Sequence, residues 1–200
     1  DDVEDDPRLD ADAAQEVLRR RYVDHLRLHD DGLSRTCLPS HLTASVLVVD
    51  AGADRALLTL HARAGRWFQL GGHCEADDRT LAGAALREAR EESGIADLDL
   101  DRVPVQLSEH AVPFCGPDAG SAATTTHHLD VRYVAVAPTG SLPVVSEEST
   151  DLGWWPLDAL PDPDADLVAL AGLAATRMDD MARNRLRTHL TAHLPASASR

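Results

Sequence analysis

Lysine is missing from this chain. All nineteen basic side chains are arginine, set against thirty-four aspartates and glutamates, and the formal net charge is −15. A surface this acidic excludes nonspecific attraction to nucleic acid polymer or to anionic lipid. Aromatic residues make up only 4% of the chain, so most of Trp67, Phe68, Trp154 and Trp155 are expected in core packing rather than in a stacking platform for bases. Cys37, Cys74 and Cys115 are odd in number and lack metal-type spacing, and they read as reduced thiols. No apolar run is long enough to span a bilayer, and no basic-then-apolar segment opens the chain, so the expected location is cytoplasmic, with no membrane partner. No internal repeat is visible. Nor does the sequence present a His/Cys ligand cluster of the kind that signals zinc. His127 and His128 are adjacent, and in a strand they point to opposite faces.

Two hundred residues, 44% of them hydrophobic, suit one domain with extensions. Residues 1–10 form an acidic tail expected to be disordered, and 11–35 a helical extension whose apolar positions recur at near-helical spacing up to the Asp30–Asp31–Gly32 stop. That extension packs on the main domain or on a second copy of the chain in a homodimer. Residues 36–194 read as the main domain, and 195–200 as a frayed end after Pro195. Within the domain, the β-branched run 41–49 predicts a buried strand and 56–61 its return. Residues 103–112 and 128–136 predict two more strands, and the Gly-, Ser- and Thr-rich stretch 113–126 between them a long surface loop. A short strand ending in Trp154 and Trp155 and a long helix from Asp166 complete the reading.

The stretch from Gly71 to Ile95, GGHCEADDRTLAGAALREAREESGI, organises the rest. Its second half predicts one short helix, with Thr80 as N-cap and Gly94 as C-terminal stop. On that helix Glu88, Glu91 and Glu92 stand at i, i+3 and i+4, within an arc of about 100°. Glu88 repels Glu91 and Glu92 across one turn by roughly 0.2–0.5 kcal/mol per pair. Glu91 and Glu92 also occupy the last turn, where the helix dipole favours cations. A hard divalent cation seated on the three carboxylates would remove both penalties, and Mg²⁺ is the natural ion, with Mn²⁺ as its substitute.

This stretch resembles the Nudix box: G, five residues, E, seven residues, then R-E-U-x-E-E-x-G-U with U aliphatic. Arg87, Glu88, Ala89, Glu91, Glu92, Gly94 and Ile95 match its second half position by position, and Gly72 matches the leading glycine. The middle departs from it. Asp78 stands where the pattern has Glu, and eight residues rather than seven separate it from Arg87, which leaves the partner of Arg87 open. The resemblance implies an α/β fold, a Nudix-type α/β/α sandwich with a mixed β-sheet, here with N- and C-terminal helices added. It implies hydrolysis of a diphosphate linkage in a small phosphate-containing substrate, with Glu88, Glu91, Glu92 and the Gly72 carbonyl as metal ligands. Arg87 would orient the carboxylates, and Gly71, Gly72 and His73 would meet the substrate. Glu148, in an acidic loop before the last strand, and Glu91 are the candidates for general base. Two other readings stay open: an isomerase of isopentenyl-diphosphate type relying on Cys74, and a ligand sensor without hydrolysis.

Overall fold

The structure, a computed structural model, describes residues 7–113, 115, 125–145 and 149–192. In chain order these form α1 (Pro7–Leu28), β1 (Ser40–Val49), β2 (Arg55–His61), β3 (Arg66–Phe68), β4 (Leu70–His73), α2 (Leu81–Ser93), β5 (Asp99–Val112), β6 (Thr126–Val136), β7 (Ser149–Pro156) and α3 (Ala165–Ala192). No helix among the described residues is long and apolar enough to cross a membrane.

β1 is the spine of the sheet because nine of its ten residues, from His41 onward, are buried. It runs parallel to β6 and antiparallel to β2 and β4; β5 extends the sheet beyond β6, while β3 and β7 both pair with β2. The sheet is therefore mixed, as expected, and both its faces are covered. Side chains alternate along β1. Leu42, Ala44, Val46 and Val48 pack with Ala84, Ala85 and Ala89 of α2. Leu47 and Val49 face the other way, against Leu167, Leu170, Ala171 and Ala174 of α3. The alanine face of α2 lets that helix lie close to the sheet, which brings its acidic end up to β4.

α1 covers the outer edge formed by β5. The Gln15 side-chain amide donates to the Leu107 carbonyl at 3.0 Å and accepts from the Leu107 N–H at 2.6 Å, standing in for a neighbouring strand. Buried Tyr22 donates its hydroxyl proton to the Ser108 carbonyl at 2.8 Å. In β5 the pairing with β6 shifts register between Asp101 and Gln106, a bulge that accommodates Pro104, which has no N–H to give.

Two short strands, β3 and β4, were not foreseen, and β4 is the instructive one. The paired glycines form part of β4, although glycine is depleted from strands. The reason is space. A Cβ on Gly71, whose φ is +148°, would lie 2.5 Å from Ser45 Cα, and one on Gly72 would lie 2.8 Å from the Glu88 carboxyl carbon. Bare backbone is what lets β4 fit between β1 and α2. Most of the loop expected over 113–126, the tail over residues 1–6, the end over 195–200, and Glu147 and Glu148 lie outside the described residues.

Candidate active site and a histidine cluster behind it

The box helix forms as its caps predict. Thr80 is extended, and its hydroxyl accepts the Gly83 N–H at 3.0 Å; Gly94 is left-handed (φ 69°), and its N–H reaches the Arg90 carbonyl at 2.8 Å. The last carbonyl of the helix, on Ser93, accepts the Val144 N–H at 2.8 Å. That bond anchors the segment leading toward Glu148 at the acidic end of α2.

Two of the three carboxylates lie against β4. Glu92 accepts the Gly71 N–H at 2.9 Å, and Glu88 occupies the space that a side chain on Gly72 would take. Glu91 is more exposed and is held by Arg87 at 3.0 Å. Arg87 is the hub. One terminal nitrogen donates to Glu88 and Glu91, each at 3.0 Å; the other donates to the His73 carbonyl at 2.9 Å and to Asp78 at 2.8 Å. Its Nε completes a two-pronged contact with Asp78 at 3.3 Å.

This geometry answers the question left by the departing middle of the box. Glu75, Ala76, Asp77 and Asp78 form a turn in which the Asp78 N–H bonds the Glu75 carbonyl and the Asp78 carboxylate accepts the Glu75 N–H. The extra residue is absorbed ahead of the Thr80 cap, the helix keeps its register, and Asp78 becomes the main partner of Arg87. The arginine's hydrogen bonds hold the Asp78 carboxyl below its usual range and raise the pKa of Arg87. The oxygen-only donor set beside an open backbone suits a hard cation such as Mg²⁺ or Mn²⁺. Cys74 is half-buried, and desolvation, assisted by Asp78, pushes its thiol up to about 11. A thiol held protonated this firmly is a poor nucleophile or proton relay at neutral pH.

His73 lies elsewhere than its neighbours in the box suggest. Register along the sheet pairs Thr43 with His73 and Gly72 with Ala44, so Gly72 faces α2 and His73 faces the opposite side of the sheet. There its ring stands 5.1 Å from the ring of His41 and 5.0 Å from that of His128. Cys115 completes the group, and the ligand-type atoms of His41, His73, Cys115 and His128 all lie within 4.8 Å of one another. This corrects the reading that the chain offers no His/Cys cluster. Four ligand-type residues scattered from position 41 to 128 leave no local spacing to find. Only the pairing of His41 with His128 across parallel β1 and β6 brings the first two together. His127 and His128 do point apart, as alternation requires, and His127 Nδ1 lies 3.2 Å from Glu109. Burial, reinforced by the neighbouring imidazoles, lowers the pKa of His73 to about 4 and that of His128 to about 2. Both rings are neutral at physiological pH.

Beside this cluster runs a buried polar network. Asp130 accepts from Thr43 at 3.0 Å, Ser45 at 2.7 Å and Arg132 at 3.0 Å, and Arg132 also reaches Gln106 at 2.9 Å. The buried charge on each of the pair is thus matched by several hydrogen bonds.

Comparison with known proteins follows the same lines. A hydrolase of the NUDIX family from Clostridium perfringens aligns with a TM-score of 0.55 at 22% identity, over 69% of this chain and 97% of its own. The C. elegans Ap4A hydrolase aligns with a TM-score of 0.51 at 17% identity, over 70% and 97%. At these identities both show the fold. No curated protein matches the chain. The profile of the NUDIX domain matches residues 39–172, spanning the sheet, the capped box helix and the start of α3, and the chain belongs to that family.

Proposed function

We propose that this Nudix pyrophosphohydrolase cleaves a diphosphate linkage in a nucleoside triphosphate or a nucleoside diphosphate-linked small molecule, using Mg²⁺ held by Glu88, Glu91, Glu92 and the Gly72 carbonyl. The observation that carries this reading is the convergence of Glu88 and Glu92 on the bare backbone of Gly71 and Gly72, with Arg87 tying both segments together. Bound Mg²⁺ supplies charge neutralisation at the phosphate oxygens and a water of lowered pKa. The chain supplies the positioning. Arg87 is a positioning residue: it fixes Glu88 and Glu91 relative to the His73 carbonyl and has its own plane set by Asp78. The backbone of Gly71 and Gly72 offers close approach to phosphate because no side chain intervenes.

The general base is assigned to Glu148. A carboxylate bound directly to Mg²⁺ is poorly basic, and Glu91 is already engaged by Arg87. Val144 is anchored on the end of α2, and Glu148 follows it four residues later in the sequence. Glu148 would accept the proton of the attacking water. With a net charge of −15, the protein attracts an anionic substrate through the metal and through local arginines rather than through its global field.

The test is a screen of nucleoside triphosphates, ADP-ribose, dinucleoside polyphosphates and nucleotide sugars, with and without Mg²⁺, read by product analysis. Dinucleoside polyphosphates belong in it because the C. elegans relative is an Ap4A hydrolase. Metal-dependent release of two phosphate-bearing products from at least one class is expected. Turnover that ignores chelation would overturn the proposal.

A further inference from the structure

The cluster behind β4 has the chemistry of a second, different metal site. His41 is fully buried, and its Nδ1 donates to the Cys37 carbonyl at 3.1 Å. That bond fixes the tautomer and leaves the Nε2 lone pair directed at Cys115 Sγ, 3.7 Å away. His73 Nε2 stands 3.4 Å from the same sulfur. His128 contributes the third ring, and its buried Nε2 has no hydrogen-bond partner among the described residues. The one N–H of neutral His41 is already given to the Cys37 carbonyl, so its Nε2 is an acceptor, and it shares the centre of the cluster with ring nitrogens of His73 and His128 and with the Cys115 sulfur. A buried ring nitrogen without a partner is costly, and native proteins rarely leave one without a reason.

We infer that His41, His73, Cys115 and His128 bind one Zn²⁺ as a closed, four-coordinate structural site. The donor set is three nitrogens and one sulfur, which suits borderline-soft zinc and not the oxygen-seeking ion of the box. The distances agree as well. Tetrahedral zinc with Zn–N about 2.0–2.1 Å and Zn–S about 2.3 Å places nitrogen and sulfur ligands about 3.6 Å apart. The two separations from Cys115 are 3.7 and 3.4 Å. No pair in the cluster exceeds 4.8 Å, so closing the others onto tetrahedral edges of about 3.3–3.6 Å needs shifts of about 1.5 Å at most. All four coordination positions are filled by protein, which leaves no place for substrate or catalytic water.

The location says what such a site would do. Its ligands come from β1, β4, β6 and the connection that follows β5, and on β4 the ligand His73 adjoins Gly72. The carbonyl of His73 also accepts from Arg87. Zinc would therefore staple the strand carrying the two glycines to the middle of the sheet, from the face opposite Glu88. The anchor point of Arg87 would be fixed with it.

The experiment measures metal, not hydrolysis, so it stands apart from the function proposed above. Full-length protein grown with zinc and freed of loose metal by gel filtration should hold about one zinc per chain by mass spectrometry, as a single four-ligand site requires. Exchange of zinc for Co²⁺ should give a thiolate charge-transfer band and the intense visible bands of tetrahedral cobalt. Cys115→Ser should remove the charge-transfer band, and Glu92→Gln should keep both zinc and spectrum. Wild-type protein with trace zinc and no thiolate band on Co²⁺ addition would overturn the inference. So would zinc content and a cobalt spectrum unchanged by Cys115→Ser. Should Cys115→Ser fold poorly, the wild-type cobalt spectrum decides by itself.

Discussion

Gly71 and Gly72 are neighbours in one short strand, yet replacing each by alanine should fail in a different way. A Cβ on Gly71 would sit 2.5 Å from both Cα and Cβ of Ser45 and 2.7 Å from the Ala44 carbonyl oxygen, all in or next to the backbone of the central strand. Nothing there can swing aside, and φ of +148° is itself costly for a residue with a side chain. Strain of about 1–3 kcal/mol and overpacking of about 1–3 kcal/mol together give Gly71→Ala a loss of roughly 2–6 kcal/mol. For a domain of this size that lowers Tm by about 5–20 °C. A Cβ on Gly72 meets only the Glu88 carboxyl group, at 2.8–2.9 Å, and the end of a glutamate can retreat. Moving from 2.8 Å to an ordinary contact near 3.4 Å displaces the carboxylate by about 0.6 Å. Gly72→Ala should therefore keep Tm within about 2 °C, since little backbone is disturbed. It should still lower Mg²⁺-dependent kcat/KM by about 10- to 100-fold, the scale on which an ångström of misplacement acts. Differential scanning fluorimetry and initial rates on the two purified variants give the answer. Wild-type turnover in Gly72→Ala, or wild-type stability in Gly71→Ala, would refute this account of why the glycines are there.

Asp78→Asn removes the charge from the two-pronged contact with Arg87 and should destabilise the protein by about 1.5–3 kcal/mol at pH 7. Because the folded-state pKa of Asp78 is lowered, its contribution is present above the unfolded value near 4 and lost as pH falls through the folded one. Denaturant midpoints of wild type and variant should thus converge as pH falls well below the unfolded value, and a gap that stays constant through acid titration would show that charge is not the cause. Glu148→Gln should lower kcat by at least about 10² with little change in Mg²⁺ affinity, while Glu147→Gln does much less. A near-normal kcat in Glu148→Gln together with a crippled Glu91→Gln would move the general base onto α2.

The parts of this protein that were legible in its sequence are those whose causes are local. The caps of α2 follow from Thr80 and Gly94 alone, β1 follows from its β-branched run, and β2 follows as the return after the turn at 50–54. The convergence of the three glutamates needs only helical periodicity. Strand β4 escaped because its glycines argue against a strand locally. They are explained by Ser45 and Glu88, 26 positions before Gly71 and 16 after Gly72. Asp78 as partner of Arg87 depends on how a turn absorbs one residue, which spacing leaves open. The histidine cluster was the least legible. His41, His73, Cys115 and His128 are united only by strand order and register, and nothing in their spacing records that order.

If the carboxylates at the end of α2 act through a metal ion, as proposed, rather than as structural acceptors, Glu92→Gln separates the two roles. The amide oxygen of glutamine can still accept the Gly71 N–H now bonded at 2.9 Å, so the backbone contact survives while the charge is lost. Mg²⁺-dependent turnover of the variant should fall by about 10²-fold or more, about 2.7 kcal/mol of transition-state stabilisation, with Tm unchanged or slightly raised by relief of like-charge repulsion. Turnover and Mg²⁺ dependence close to wild type in a folded Glu92→Gln protein would contradict the account.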